Sequence, residues 1–245
     1  MQRESFTVLV VCTGNLNRSA LAGALLRTWA DWYLPAGVAS QVTVASGGLA
    51  APVGSHMRSR TRIIAAALGA DGSEHRAVQV TEAGIRAADL VLVAEATQRD
   101  QVLGFAPGAL KHTLTIREAG AIAARMTSGA PPASLDELHA RASALAANRA
   151  LATGVPTDVI DPQGRDDDAY REMARQEVPA LARFASVLFG MPPREVAAYD
   201  EAVTDAAAFP FEDARGRDGG GRVRPRAGAT AADGDGSRTR GRRRA

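Results

Sequence analysis

A cysteine and an arginine near the start of the sequence have a spacing that suits phosphoryl transfer. Cys12 ends an apolar run over residues 6–11, and Arg18 stands six positions later, where helical character begins. A tight polar loop between a strand and a helix can turn backbone N–H groups inward and bind an anion at the helix N-terminus. The same positive field favours the thiolate form of a cysteine, which is its nucleophilic form. A thiolate beside a bound phosphoryl group can cleave a phosphoester.

The alternative is that Cys12 is a small hydrophobic residue of the core, as most lone cysteines are. The sequence that follows it, Thr13-Gly14-Asn15, suits a turn better than the middle of a strand. The order of strand, polar loop and helix therefore favours the catalytic interpretation.

Such a reaction also needs a proton donor for the leaving group and a base for the attacking water, and one carboxyl group can serve both steps. Asp161 lies before Pro162 in an extended loop between two helical segments and is the first candidate. Asp158 is a rival that can instead hydrogen-bond within its loop. The acids at 166–168 suit the first turn of the following helix.

Short apolar strands alternate with helical patterns over most of the sequence. The strands are predicted at residues 6–11, 42–45, 89–94 and 112–116, with helices at 20–34, 57–68, within 121–154 and at 166–189. This alternation predicts an α/β fold whose parallel sheet is covered on both faces. Ligands of such sheets bind at the carboxyl ends of strands, which is where Cys12 lies.

The composition limits the classes of protein that fit. The 245 residues are 46% hydrophobic and include one cysteine, so an intramolecular disulfide is excluded, and the histidines have no zinc-like spacing. The sequence enters a strand almost at once and has no apolar stretch of about 18 residues, so we expect no membrane span and a cytoplasmic setting.

We predict one domain over residues 1–192, followed by a linker and a disordered tail over 193–245. From residue 213 onward the tail has ten arginines and four aspartates, which gives it a net charge of +6. It has almost no large apolar residues with which to offset its ordering entropy. Its arginines are also suited to weak contact with nucleic acid or an acidic surface.

Several segments, taken in order, resemble the low-molecular-weight protein tyrosine phosphatases. They are the loop at 11–19, Ala45-Ser46-Gly47-Gly48, His75-Arg76-Ala77, the strand at 88–92, the segment at 114–118, and Val159-Ile160-Asp161-Pro162. The resemblance covers residues 6 to 190, with a helical enlargement at 121–154. It implies a three-layer flavodoxin-like fold with a central four-stranded parallel sheet.

The resemblance also implies roles for individual residues. Cys12 would be the nucleophile, Arg18 the phosphate clamp, and Asp161 the acid and then the base. Ser19 would donate its hydroxyl to the Cys12 thiolate, and Asn15 would hold the loop by bonding Ser46. The predicted phosphate-binding loop consists of Thr13, Gly14, Asn15, Leu16, Asn17 and Ser19, and neither a metal nor another cofactor is implied.

The sequence departs from the family pattern at three positions. Asn17 stands where a second cysteine often adjoins the arginine, and Gln163 and Gly164 replace the aromatic residues that wall the substrate ring. These last replacements predict a more open pocket.

The substrate predicted from the resemblance is a phosphorylated protein. Leu16 favours phosphotyrosine, because a threonine occupies the similar position in phosphoarginine phosphatases of this fold. A phosphoarginine phosphatase and a catalytically weak phosphate-binding module are the alternatives.

Overall fold

The parallel sheet is the centre of the structure, a computed structural model that describes residues 4–205 and 209–211. Its strands are β1 (Phe6–Cys12), β2 (Val42–Gly48), β3 (Leu90–Val93) and β4 (Thr113–Thr115), arranged in the order β2-β1-β3-β4 and all parallel. The predicted four-stranded parallel sheet is thereby confirmed.

Helices cover both faces of this sheet. They are α1 (Arg18–Tyr33), α2 (Ala36–Ala39), α3 (Ser59–Ala67), α4 (Glu82–Ala87), α5 (Ala96–Phe105), α6 (Ile116–Ala123), α7 (Leu135–Ala147), α8 (Asp167–Leu188) and α9 (Pro193–Thr204), with 3₁₀ turns at Pro107–His112 and Arg149–Ala152. Alternate residues of β1 serve the two faces. Phe6, Val8 and Val10 belong to the larger apolar cluster, whereas Leu9 and Val11 belong to the smaller one. The three layers follow from this alternation.

The strand order places Cys12 at the point where the chain changes direction across the sheet. β2 lies on one side of β1, and the next strand in the sequence, β3, lies on its other side. Open α/β sheets bind ligands at such a switch point. Cys12 pairs with Gly48, so the carboxyl ends of β1 and β2 lie level with each other.

The folded part extends beyond the boundary that the sequence predicted at residue 192. The segment predicted to begin a linker is helix α9, and its Tyr199 and Val203 are buried against the core. The Trp29 indole donates a hydrogen bond to the Tyr199 hydroxyl (2.8 Å). A linker from residue 193 is therefore wrong for the described part of that range, because α9 buries an apolar face. The arginine-rich tail lies outside the described residues.

Helix α8 contains a buried acid that costs stability. Glu177 has no exposed surface, and neither of its carboxylate oxygens has a hydrogen-bond partner among the described residues. Burial raises the pKa of Glu177 well above its ordinary value, although the charge of Arg18 opposes this. The folded protein therefore retains this proton to a higher pH than the unfolded chain does.

Replacing this carboxyl group should flatten the loss of stability at rising pH. Because the folded-state pKa is raised, the contribution of Glu177 is most favourable below about pH 4.3 and declines by about 1.4 kcal/mol per pH unit up to the folded-state pKa. Glu177→Gln lacks this decline, so its advantage over wild type should grow with pH in urea unfolding. Glu172→Gln on the same helix is the control, and parallel wild-type and Glu177→Gln profiles would contradict the assignment.

The contact between α6 and α8 depends on a glycine. A Cβ atom on Gly120 would lie 2.5 Å from the Ala180 Cα atom, which is backbone and cannot move aside alone. Gly120→Ala should therefore lower the free energy of unfolding by about 1–3 kcal/mol through overpacking.

Gly104→Ala is the matched control for this substitution. Gly104 lies in α5, and a Cβ atom added there would have no neighbouring atom within 4 Å. The variant should gain about 0.5–1 kcal/mol, because alanine favours the helix. Thermal or urea unfolding measures both variants, and equal effects would refute the packing argument.

Candidate active site

The loop between β1 and α1 closes on the Cys12 thiol. Asn15 has a positive φ of 52°, in the left-handed region that asparagine tolerates better than most residues. Its backbone N–H donates to Cys12 Sγ at 3.2 Å. The loop thus bends back over the end of β1 and points an amide at the sulfur.

The Asn15 side chain joins this loop to its neighbours. Its Nδ2 donates to Ser19 Oγ (2.9 Å) and to Ser46 Oγ (3.0 Å), and its Oδ1 accepts from the Val78 N–H (3.0 Å). Asn15 is fully buried, so these bonds are shielded from water. One amide therefore links β1, β2 and the segment before α4.

His75 supports the same asparagine from the backbone side. Its Nε2 lies 2.8 Å from the carbonyl oxygen of Asn15, and since a carbonyl can only accept, Nε2 carries the proton. Burial lowers the pKa of His75, and nearby positive charges act in the same direction, while the bond to Asn15 opposes them. The neutral ring can make this hydrogen bond.

Ser19 lies directly beside the nucleophile. Its Oγ is 3.0 Å from Cys12 Sγ and 3.3 Å from the Gly47 carbonyl oxygen. Because its Oγ accepts a hydrogen bond from Asn15 Nδ2, its single hydroxyl hydrogen can be donated to the sulfur or to the Gly47 carbonyl oxygen. Cys12 is 2% exposed, so little water competes for this contact.

The end of β2 must be glycine for the loop to pack against it. A Cβ atom on Gly48 would lie 2.7 Å from the Thr13 carbonyl oxygen and 3.0 Å from the Asn15 amide nitrogen. A residue with a side chain would push the loop away from the sheet.

Arg18 begins α1 and is almost completely buried, with 1% exposure. Its Nη1 donates to Glu95 and to the Val159 carbonyl oxygen (3.0 Å), and its Nη2 donates to Asp161 Oδ2 (2.8 Å). Burial acts to lower the pKa of Arg18, but the hydrogen bond to Glu95 and the charges of Asp161, Cys12 and Glu95 raise it overall.

One donor of Arg18 is left over. Its Nε–H is buried and has no partner among the described residues. An unsatisfied buried donor is costly, and an anion in the cradle would satisfy it.

The loop before α8 carries the acid. Asp161 contacts Arg18 through Oδ2 and accepts the Gln163 N–H through Oδ1 (3.0 Å). Its side chain is 43% exposed, so it can exchange protons with solvent. The structure therefore places Asp161 at the cradle with Cys12 and Arg18.

The rival acids have other contacts. Asp158 accepts from the Ala96 N–H (2.9 Å) at the start of α5. Asp166 caps α8 by accepting from the Ala169 N–H (3.1 Å), while Asp167 and Asp168 lie in its first turn.

The cradle opens into a small cavity. The cavity measures about 120 Å³ and is lined by Cys12, Thr13, Gly14, Leu16, Asn17, Arg18, Asp161 and Gln163. Gln163 Oε1 accepts from Asn17 Nδ2 and from Arg58 Nε, both at 3.2 Å. Gln163 thus links the loop of Asp161 to Asn17 and Arg58 beside the cavity, while the more open pocket stays a prediction.

Sequence reasoning missed two groups that contact the cradle. Glu95 binds Arg18, and Gln98 donates through Nε2 to Thr13 Oγ1 (3.2 Å). Both follow β3 at the carboxyl edge of the sheet. An acid directly after a buried strand was the available signal.

Other features of the described residues point to no second chemistry. A larger cavity of about 1290 Å³ lies at the opposite end of the sheet, with Asp89, Lys111 and Arg149 in its lining, away from the thiol. Residues 4–205 and 209–211 contain no group of three or more His, Cys, Asp or Glu suited to a metal ion. No helix in these ranges is long and apolar enough to cross a membrane.

Known structures share this fold. The tyrosine phosphatase AmsI of Erwinia amylovora aligns with a TM-score of 0.53 and 22% identity over 75% of this chain and 93% of its own. The arginine phosphatase YwlE of Geobacillus stearothermophilus aligns with a TM-score of 0.52 and 24% identity over 74% of this chain and 90% of its own. At these identities the likeness concerns the fold alone.

Sequence comparison finds a similarity over the first half of the chain. A probable low molecular weight protein-tyrosine-phosphatase, EpsP of Ralstonia nicotianae, is 40% identical over 96 residues, which are 39% of this chain and 60% of that protein. The chain thus covers about three fifths of this relative. Residues 7–118 match the family model described as low molecular weight phosphotyrosine protein phosphatase. Residues 7–118, which hold the cradle and nearly all of the sheet, are therefore similar to that family.

Proposed function

We propose that the chain is a phosphomonoester hydrolase that acts on phosphorylated proteins through a phosphocysteine on Cys12. The observation that carries this proposal is the meeting of a thiol, a guanidinium and a carboxyl group around one small cavity. Cys12, Arg18 and Asp161 all line it, although Asp161 lies far from the other two in the sequence.

In the first step the Cys12 thiolate attacks phosphorus. The S–P bond forms while the P–O bond to the leaving group breaks, and Asp161, in its acid form, gives its proton to the leaving oxygen. The unpartnered Arg18 Nε–H is available to the phosphoryl oxygens. Loop amides stabilise the charge of the transition state.

In the second step water clears the phosphoenzyme. The Asp161 carboxylate takes a proton from the water, whose oxygen bonds to phosphorus as the S–P bond breaks. Ser19 Oγ, 3.0 Å from the sulfur, donates a hydrogen bond to the departing thiolate and keeps its proton. The products are inorganic phosphate and the thiolate of Cys12.

Substrate binding must also separate Asp161 from Arg18. The two form an ion pair at 2.8 Å. A phosphoryl dianion offers the guanidinium stronger acceptors than one carboxylate does, so its arrival frees Asp161 to take up a proton. Substrate binding thus releases Asp161 from Arg18 so that it can act as the acid.

Phosphotyrosine is the substrate that we favour, because Leu16 lines the cavity with an aliphatic side chain. Phosphoarginine is the second candidate, since aromatic residues are missing from the cavity lining and YwlE, which shares the fold, is an arginine phosphatase. We also propose a cytoplasmic setting, because the thiol must stay reduced, and weak contact of the arginine-rich tail with nucleic acid or acidic surfaces.

Replacing the nucleophile tests the proposal. Cys12→Ser should lower kcat for p-nitrophenyl phosphate at least about thousandfold, because a hydroxyl in this cradle is a far weaker nucleophile. Phosphate binding, measured by calorimetry, should persist. A wild-type protein that binds phosphate without turnover would instead support the binding module.

Replacing the acid tests the second role. Asp161→Asn should lower kcat for p-nitrophenyl phosphate about hundredfold or more, since general acid–base catalysis is lost. Asp158→Asn, three positions away, retains an oxygen for the Ala96 N–H and is the matched control. If Asp158→Asn is the impaired variant and Asp161→Asn is not, the acid has been assigned wrongly.

A further inference from the structure

The side chain of Gln163, with its hydrogen bonds to Asn17 and Arg58, forms a connection that we name the Gln163 bridge. It joins three segments: the loop before α8 that contains Asp161 and Gln163 (the acid loop), the phosphate-binding loop, and the turn before α3. Asn17 is held in turn, because its Oδ1 accepts from Thr61 Oγ1 (2.7 Å). The Gln163 backbone N–H donates to Asp161. Other hydrogen bonds therefore hold both Asn17 and the Gln163 backbone in place.

The bridge limits the space above the thiol. The cavity measures about 120 Å³. Pockets for small organic ligands measure about 300–1,000 Å³. This space suits a phosphoryl group but leaves little for a ring attached to its ester oxygen.

Gln163 contributes to the lining of this cavity together with Asp161, Leu16 and Asn17. An aromatic ring must break the Gln163 contacts to enter, whereas a slender side chain needs a smaller opening.

We propose that Gln163 is a specificity-determining residue whose bridge opposes the preference for phosphotyrosine that Leu16 supports, because it disfavours phosphoryl groups on aromatic rings relative to those on slender side chains such as arginine. The inference rests on the proposed phosphatase function. When an aryl phosphate binds, the free-energy cost comes from breaking the two hydrogen bonds of the bridge and not from contacts within the cradle.

The test compares matched peptides that carry phosphotyrosine or phosphoarginine at the same position. Gln163→Leu removes the acceptor, and Arg58→Gln weakens the bridge from its other end. Each variant should raise kcat/KM for the phosphotyrosine peptide about threefold to tenfold, as expected for the loss of one or two exposed hydrogen bonds. The phosphoarginine value should change by less than about twofold, and inhibition by inorganic phosphate should stay the same.

Arg165→Gln is the control for charge. Arg165 is exposed and lies in the acid loop, two residues after Gln163. Its replacement removes one positive charge, as Arg58→Gln does, but leaves the bridge intact. It should leave the ratio of the two peptides unchanged. Circular dichroism checks that each variant is folded.

Two results would overturn the inference. If the ratio of kcat/KM for the two peptides stays at the wild-type value in both bridge variants, the bridge does not select between substrates. If kcat/KM for the phosphotyrosine peptide falls in these variants, the bridge assists aryl substrates. If the wild type hydrolyses neither peptide, the proposed function fails instead. The bridge is then judged by the binding of the two peptides to Cys12→Ser and to the same protein carrying Gln163→Leu.

Discussion

The buried charge of Arg18 is the constraint on which the site depends. A guanidinium with 1% exposure needs acceptors from the protein, and these come from Glu95 after β3 and from Val159 and Asp161 before α8. Because these acceptors lie far apart in the sequence, satisfying one side chain brings the acid loop to the phosphate-binding loop. Arg18 and Asp161 pair with each other in the free site, so in the proposed reaction a phosphoryl dianion replaces the carboxylate that then acts as the acid.

Asn15 holds the phosphate-binding loop in place, as Arg18 holds Asp161 in place. Its amide and carbonyl bind Ser19, Ser46, Val78 and His75, so the backbone amides that face the cavity are fixed before any anion arrives. Fixed dipoles need no reorganisation during the reaction, which is why such a loop can stabilise developing charge. The cost in strain is small, because asparagine tolerates a left-handed backbone.

The sequence predicted those features that depend on local pattern. Cys12 and Arg18 stand at the two ends of one short loop, and local pattern predicted every strand of the sheet, although β4 has only a weak one. Asp161 was predicted as the acid because it precedes a proline in a loop between helices, and the resemblance to a family supported the same assignment. Features that depend on tertiary contact were missed. Nothing local shows that Glu95 reaches Arg18, that Gln163 reaches Asn17, or that the helix from Pro193 buries Tyr199 against Trp29.

The phosphocysteine proposed on Cys12 is a covalent intermediate that can be trapped. The protein is mixed with p-nitrophenyl phosphate, denatured in acid within the first turnover, and digested for mass spectrometry. We expect one phosphoryl group on the peptide that contains Cys12, together with a burst of p-nitrophenol equal to the protein present. Turnover with neither a burst nor a modified cysteine would mean that water attacks the ester directly, which would rule out the two-step reaction.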